Sequence, residues 1–249
     1  DSGITHFLNV NGGAFPFNDV RMREGLSLLL DRQTIIDSFY NGYGIPAGGF
    51  LSYTSAFYAE QPVNYDPERG MELIREVVGD QPVELRFLLP TVDANRYPYQ
   101  EEAEYIQALL ENNEGTNITV NIQLMDWGPC KEEMEAGNYS LCLKIQGLPS
   151  ANPFSLFKGF LYSEGSTNIT YGLGYHNDHV DELIDEAAAC LDAGRLAEIY
   201  TELQEISAVD FPNIPVLYSQ EVVASSSDIT GYEATVYGLT GFTQVCWAE

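Results

Sequence analysis

Apolar residues recur along this chain with two periods, and the period switches several times. Leu26, Leu29 and Leu30 share a helical face, which predicts a helix over roughly 19–30 with Asn18 or Asp19 as its cap. Asp31 caps a second helix, whose apolar positions are Ile35, Ile36, Phe39 and Tyr40; Gly42 is placed to end it. Residues 44–62, rich in Gly, Tyr, Phe, Ser and Pro, read as a long loop. Asp66-Pro67-Glu68 is a helix start, because proline at the first helical position loses an N–H that the helix would leave unpaired anyway. Ile74, Val77 and Val78 follow, and Gly79 ends the helix. The period then drops to two. Val83, Leu85, Phe87 and Leu89 alternate as a strand, residues 98–112 return to a helix through Ile106, Leu109 and Leu110, and Ile118, Val120, Ile122 and Leu124 alternate again. A short acidic helix over about 129–136 precedes a strand at 139–146. Acidic helices follow near 178–191 and 194–208, then the apolar strand Ile214–Tyr218 and a β-rich tail from Gly231 to Val245. Strands alternating with helices predict a layered α/β domain, with strand order left open.

The 249 residues suit one large domain or two small ones, and 45% hydrophobic residues suit a globular chain. No apolar run approaches the roughly 18 residues that span a bilayer, and no basic stretch leads an apolar one at the N-terminus. The protein is cytoplasmic, or a secretion signal is not part of this sequence. Eleven basic against 37 acidic residues leave a net charge of −26, which repels phosphate backbones and argues against nucleic acid or an anionic membrane as partner. The same charge suits solubility or a salty habitat. The four cysteines, Cys130, Cys142, Cys190 and Cys246, form no CxxC pair. They allow two disulfides in three connectivities, or buried free thiols.

Candidate chemistry is sparse. His176-Asn177-Asp178-His179 with Asp181 has metal-ligand residue types, but Asn177 or Asp178 is also a plain helix cap, and a solvated helix start is the preferred reading. Adjacent acids such as Glu101-Glu102, Glu132-Glu133 and Asp185-Glu186 carry little information in so acidic a chain, so a glycoside hydrolase is disfavoured. Neither a GxSxG elbow nor a glycine-rich phosphate loop occurs. Asn117, Asn138 and Asn168 stand in glycosylation triplets, which matter only in a secreted eukaryotic protein. Tyr43, Phe50, Tyr53, Phe57 and Tyr58, then Phe154, Phe157, Phe160 and Tyr162, read as aromatic loop residues suited to a ligand cleft above a sheet, or to core packing under the loops.

The segment "PFNDVRMREGLSLLLDRQTII" (16–36) closely resembles the P-F-[ND]-D-V-R-V-R-x-A-[IL]-x-x-A-[IL]-D-R-x-x-I pattern of family 5 solute-binding proteins of ABC importers, the group of peptide-, dipeptide- and nickel-binding proteins. Further similarities follow in the family's order: "NGYGIPA" (41–47), "NYDPERGMELIREV" (64–77), "MDWGPC" (125–130), "YHNDHVDELIDEA" (175–187), "FPNIPVLY" (211–218) and "DITGY" (228–232). The resemblance spans nearly the whole chain. It implies a periplasmic-binding-protein-like (type II) α/β lobe with a mixed sheet flanked by helices. In the family, the first segment lies just after the crossing into the second lobe. The chain therefore resembles the C-terminal lobe alone, with residues 1–12 and about 221–249 as crossing and return segments and the first lobe absent. The implied function is capture of a peptide or other small polar solute between two lobes and delivery to ABC permease subunits, by an extracytoplasmic monomer without cofactor, metal or catalysis. A ligand-sensing domain of the same family in a regulator is the alternative.

The departures bear on specificity. In peptide-binding members an aspartate in W-x-x-D-Y-x-x-P holds the ligand amine; here Pro149 falls at that aspartate and Gln146 at the tryptophan. Two arginines that serve ligand carboxylates in some members fall on Met134 and Leu143. A buried amine without a counter-charge is expensive, so recognition of peptide termini by that scheme is not expected. The resemblance places ligand contacts at Trp127, which is kept and can stack on a ligand, and at the loop residues Gln146, Gly147, Leu148 and Pro149, with Tyr53 and Phe57 beside them. Asp19, Arg21, Asp31, Arg32 and Asp181 are motif residues expected as caps and buried ion pairs.

Overall fold

A computed structural model describes residues 2–148, 151–220, 222, 224–232 and 244–248. In chain order the elements are β1 (Ile4–Val10), α1 (Val20–Leu29), α2 (Arg32–Phe39), β2 (Gly44–Pro46), α3 (Pro67–Val78), β3 (Pro82–Pro90), α4 (Thr91–Ala94) and α5 (Tyr99–Glu111). Then come β4 (Asn117–Met125), α6 (Trp127–Glu135), β5 (Leu141–Gly147), α7 (Phe154–Leu161), α8 (Ser166–Thr170), α9 (Asp178–Ala189), α10 (Ala193–Asp210), β6 (Asn213–Ser219), β7 (Ile229–Thr230) and β8 (Cys246–Trp247). Most of the expected elements are present within a few residues of the bounds read from periodicity. Asp19, Asp31 and Asp66 accept backbone N–H bonds as caps, and Pro67 opens α3. Three expectations are corrected. Phe154, Phe157 and Phe160 lie on α7 rather than in a loop, and residues 44–46 form a short strand. Among the described residues Arg32 has no carboxylate partner: buried, its guanidinium donates to the Pro215, Ser27 and Leu30 carbonyls and to Ser27 Oγ. The expected β-rich tail falls largely on residues outside those described; β7 pairs with β8 on its flanks.

Six strands form one mixed sheet in the order β2-β6-β1-β5-β3-β4. β3 is parallel to β4 and β5, whereas β1 is antiparallel to both β5 and β6. The pleat sends alternate residues to opposite faces. On β3, Val83, Leu85, Phe87 and Leu89 join Leu8, Val10, Leu141 and Leu143 against α1, α2, α3 and α5. On the other face, Phe7 packs under α7, α9 and α10. Leu88 and Cys142 pack there under α6. With both faces covered, β1 and β6 are buried along nearly their whole length. Helices α1 and α3 cross at paired glycines: a Cβ on Gly70 would stand 2.8 Å from the Gly25 carbonyl oxygen, so only glycine lets these backbones approach.

A polar cluster interrupts the first core face. His6 of β1 is fully buried, and its Nδ1 shares a hydrogen bond with Tyr99 Oη at 3.0 Å, while Tyr40 Oη donates to Glu102 Oε2 at 2.8 Å. Glu102 Oε1 and His6 Nε2 have no partner. Burial pushes the Glu102 carboxyl up to about 7, against the Tyr40 hydrogen bond, and burial with the Arg96 charge pushes His6 down to about 3. Folded protein holds the Glu102 proton to near pH 7, while an unfolded chain releases it near its ordinary 4.5. The stability it contributes is therefore complete below pH 4.5 and lost as pH rises through 7. His6 has the opposite slope, but only below its ordinary 6.5. Above that pH, Glu102 is the one of these two groups whose ionisation still changes stability, and comparison with the Gln variant isolates it from His179 and the other groups. Glu102→Gln is expected to match the parent near pH 4 and to exceed it at pH 8, with urea midpoints as the readout. Equal pH slopes for the two proteins from 6.5 to 8 would contradict this ionisation.

Candidate functional site at the strand carboxyl ends

β3 and β4 run in register from Pro82 opposite Asn117 to Pro90 opposite Met125, so both end on the same rim. β5, parallel to β3, ends beside them at Gly147, and β6 ends at Ser219. In open α/β sheets the crevice outside the strand carboxyl ends is where ligands bind. The connections leaving these strand ends carry polar and aromatic residues. α4 follows β3 and carries Asp93; Asp126 and Trp127 follow β4; Leu148 follows β5. Thr91 Oγ1 donates to Asp126 Oδ1 at 2.9 Å and ties the first two connections together.

Beneath this rim lies a buried ion pair. Lys144 Nζ sits 2.5 Å from Asp93 Oδ2, with the two side chains 8% and 11% exposed. The same ammonium stands 4.3 Å from the centre of the Trp127 ring, a cation–π contact strengthened by desolvation. Tyr171 packs edge-on against that ring at 6.0 Å. Lys144 occupies the face of β5 shared by Cys142 and Gln146, opposite the fully apolar row of Leu141 and Leu143. No family motif includes Lys144. The one charged residue in a largely apolar strand is the signal that the sequence offers for it.

The remaining candidates divide. Gln146 and Gly147 are half-buried at the end of β5, and Leu148, nearly buried, donates its N–H to Gly3 O. Gln146 is opposite Thr5 on β1, whose buried hydroxyl lacks a partner, and Thr5 is opposite Tyr218 of β6. Tyr53 lies 5.4 Å from the Tyr218 ring, so it stands along the same rim, with its hydroxyl also unpartnered. Phe57 instead packs perpendicular to Tyr200 at 5.0 Å on the edge of the α7–α10 core. Pro149 lies outside the described residues. Met134 and Leu143 are fully buried in two different core clusters. His176 and His179 separate: one bonds Ser163 and Asp178, the other Glu202. Among the described residues no group of three His, Cys, Asp or Glu is placed to hold a metal ion.

Concave surface elsewhere is differently built. A cavity of about 340 Å³ at the opposite end of the sheet is lined by Arg23, Tyr175, Asn177 and Asp210 among others. Its polar groups bond one another: Arg23 donates to Asp210 O and Phe17 O, and Tyr175 and Asn177 donate to Asp210 Oδ2.

The pattern of bacterial extracellular solute-binding proteins, family 5 middle region, matches residues 1–168. The chain belongs to this family. Among curated relatives, di/tripeptide-binding protein 1 of Pseudomonas aeruginosa is 23% identical across 92% of this chain and 43% of its own length. The nickel-binding protein NikA of Staphylococcus aureus is 25% identical across 88% of the chain and 43% of its length. The chain thus spans less than half of these relatives. Solved structures give the same fold: a dipeptide-binding protein from Pseudoalteromonas with Met-Leu superposes with a TM-score of 0.82 at 19% identity over 98% of this chain and 48% of that one. CtaP of Listeria monocytogenes superposes with a TM-score of 0.85 at 22% identity, over 100% of this chain and 51% of that one. The type II binding-protein fold expected of this family member is the one observed, a mixed sheet flanked by helices.

The buried pair makes a stability prediction. Asp93→Ala strands the Lys144 ammonium and is expected to cost about 3 kcal/mol, whereas Asp93→Ala combined with Lys144→Met removes both charges and recovers most of that loss. Urea denaturation of the four-member cycle measures it. Simple additivity would show that the two groups are not coupled.

Proposed function

We propose that this chain is the C-terminal lobe of a two-lobe, extracytoplasmic, monomeric solute-binding component of an ABC importer. It captures a peptide or another small polar solute between its lobes and passes it to the membrane permease without making or breaking a bond. The observation that carries the reading is the composition of the strand-end rim: an aromatic platform at Trp127, opposite charges on Asp93 and Lys144, and the half-buried polar Gln146, all at one end of a family 5 lobe. A few polar groups fixed on an apolar base suit orientation of a polar ligand.

Support for a hinge comes from the same rim. Ser2 donates through its N–H and its hydroxyl to Ser219 O, at 3.2 and 2.8 Å, so the segments entering and leaving this lobe are bonded side by side. Residues 1–12 and about 221–249 serve as crossing and return segments in this reading. β1 belongs to the sheet of this lobe, so the bend on closure falls before it. In this reading one lobe supplies only part of the contacts, and the facing wall of the site belongs to the other lobe. With Pro149 at the family's aspartate position, the carboxylates at this rim are Asp126, which precedes Trp127, and Asp93, paired with the Lys144 that stacks on it, and the amine-recognition scheme of peptide-binding members is replaced or lost.

A thermal-shift screen of the two-lobe protein with dipeptides, longer peptides, oligosaccharides and nickel tests the proposal. A ligand at a hundred times its dissociation constant adds about 2.7 kcal/mol. The expected result is a shift with one of these classes that Trp127→Ala largely abolishes. A shift that Trp127→Ala leaves intact would move the binding site elsewhere on the protein, and no shift with any class would count against solute capture of this kind.

A further inference from the structure

Two cysteines lie directly beneath the rim. Cys130 is in the second turn of α6, and Cys142 is on β5, on the face that carries Lys144 two residues later. Both are fully buried, and both belong to the small cluster formed with Leu88, Met134 and Tyr139. The two thiols are near enough to shift each other's ionisation, and Cys142 Sγ donates to Leu143 O at 3.7 Å. The other two cysteines are placed differently. Cys190 caps α9 and turns its thiol to Asp192 O at 3.3 Å, and Cys246 is exposed on β8. Of the three connectivities that four cysteines permit, one joins two thiols buried in the same cluster.

We propose that Cys130 and Cys142 are an intrachain disulfide site that fastens α6 to β5. The bond, about 2 Å long, draws together two sulfurs of one buried cluster, without bringing distant elements into contact. Its consequence is local. Trp127 opens α6 and Lys144 is on β5, so the link fixes the platform relative to the charge stacked on it. The inference rests on the extracytoplasmic reading only for its oxidising surroundings.

The chemistry balances with a disulfide oxidant, such as a thiol–disulfide oxidoreductase or oxidised glutathione. Cys130 attacks first as its thiolate while α6 is still open to solvent; the reverse order gives the same bond. Attack on the oxidant's S–S bond gives a mixed disulfide and releases one thiol. Cys142 then loses its proton and attacks the Cys130 sulfur, closing the protein bond and releasing the second thiol. The protein loses two hydrogens and the oxidant gains them. Since the finished bond is buried, the closing step belongs to folding, before α6 seals over β5.

The test is a thiol map of the full-length protein refolded with oxidised glutathione, then denatured, alkylated, digested and read by mass spectrometry. The expected product is a linked pair of peptides containing Cys130 and Cys142, lighter by two hydrogens than the reduced pair, with Cys190 and Cys246 alkylated. Cys142→Ala should leave Cys130 alkylated rather than joined to another cysteine. Alkylation of both Cys130 and Cys142 in the parent protein, or a bond from either to any other cysteine, overturns the proposal. The parent map needs no variant to fold and no ligand to bind, so its result is independent of the solute screen.

Discussion

The parallel, in-register pairing of β3 with β4 is the constraint on which the rest of the site depends. It ends both strands on one rim, and β5 beside β3 brings Lys144 beneath it. Asp93 and Trp127 are separated by more than thirty residues in sequence but stand one connection past adjacent strand ends. No local feature of either segment creates their meeting. The sheet does, and its register is held by two-sided burial, because a slip of one residue would turn the Val83–Leu89 row out of one core and into the other.

The energetics of the two faces differ in kind. The face under α1, α2, α3 and α5 is a large apolar core with one polar insertion, the His6–Tyr99 and Tyr40–Glu102 pairs. The other face carries a second apolar core under α7, α9 and α10 and, beside it under α6, a small cluster with two thiols next to the buried salt bridge. A buried ion pair is weak evidence for stability, since desolvation offsets much of the attraction. Its place beside an aromatic ring at the strand ends is what the proposed ligand role draws on. By contrast Arg23 and Arg32, also withdrawn from water, spend their donors on backbone carbonyls and hold segments of the lobe together.

Much of the fold was legible because the signals were local. Alternation along β3 and β4, the Asp66-Pro67 start of α3 and the caps Asp19 and Asp31 all act within a few residues. α7 was missed because Phe154, Phe157 and Phe160, though at helical spacing, follow a Pro- and Ser-rich stretch that reads as loop. Strand order could not be read, since antiparallel β1 lies between β5 and β6, which follow it by more than a hundred residues. The site was half legible. Trp127 and Gln146–Leu148 came from motif resemblance, whereas Lys144 and Asp93 acquire meaning only from a contact across the sheet. Phe57 has the right residue type for a cleft, but its environment is the Tyr200 edge of a core.

The central claim is that this rim is one wall of the solute site. Hydrogen–deuterium exchange on the two-lobe protein, with and without the ligand that raises its melting temperature, tests it most directly. The account predicts new protection in residues 91–98, 126–130 and 145–153, with none around Arg23, Tyr175 and Asp210. Protection confined to that second cavity, or spread along the β4 edge while the strand ends stay unchanged, would contradict it.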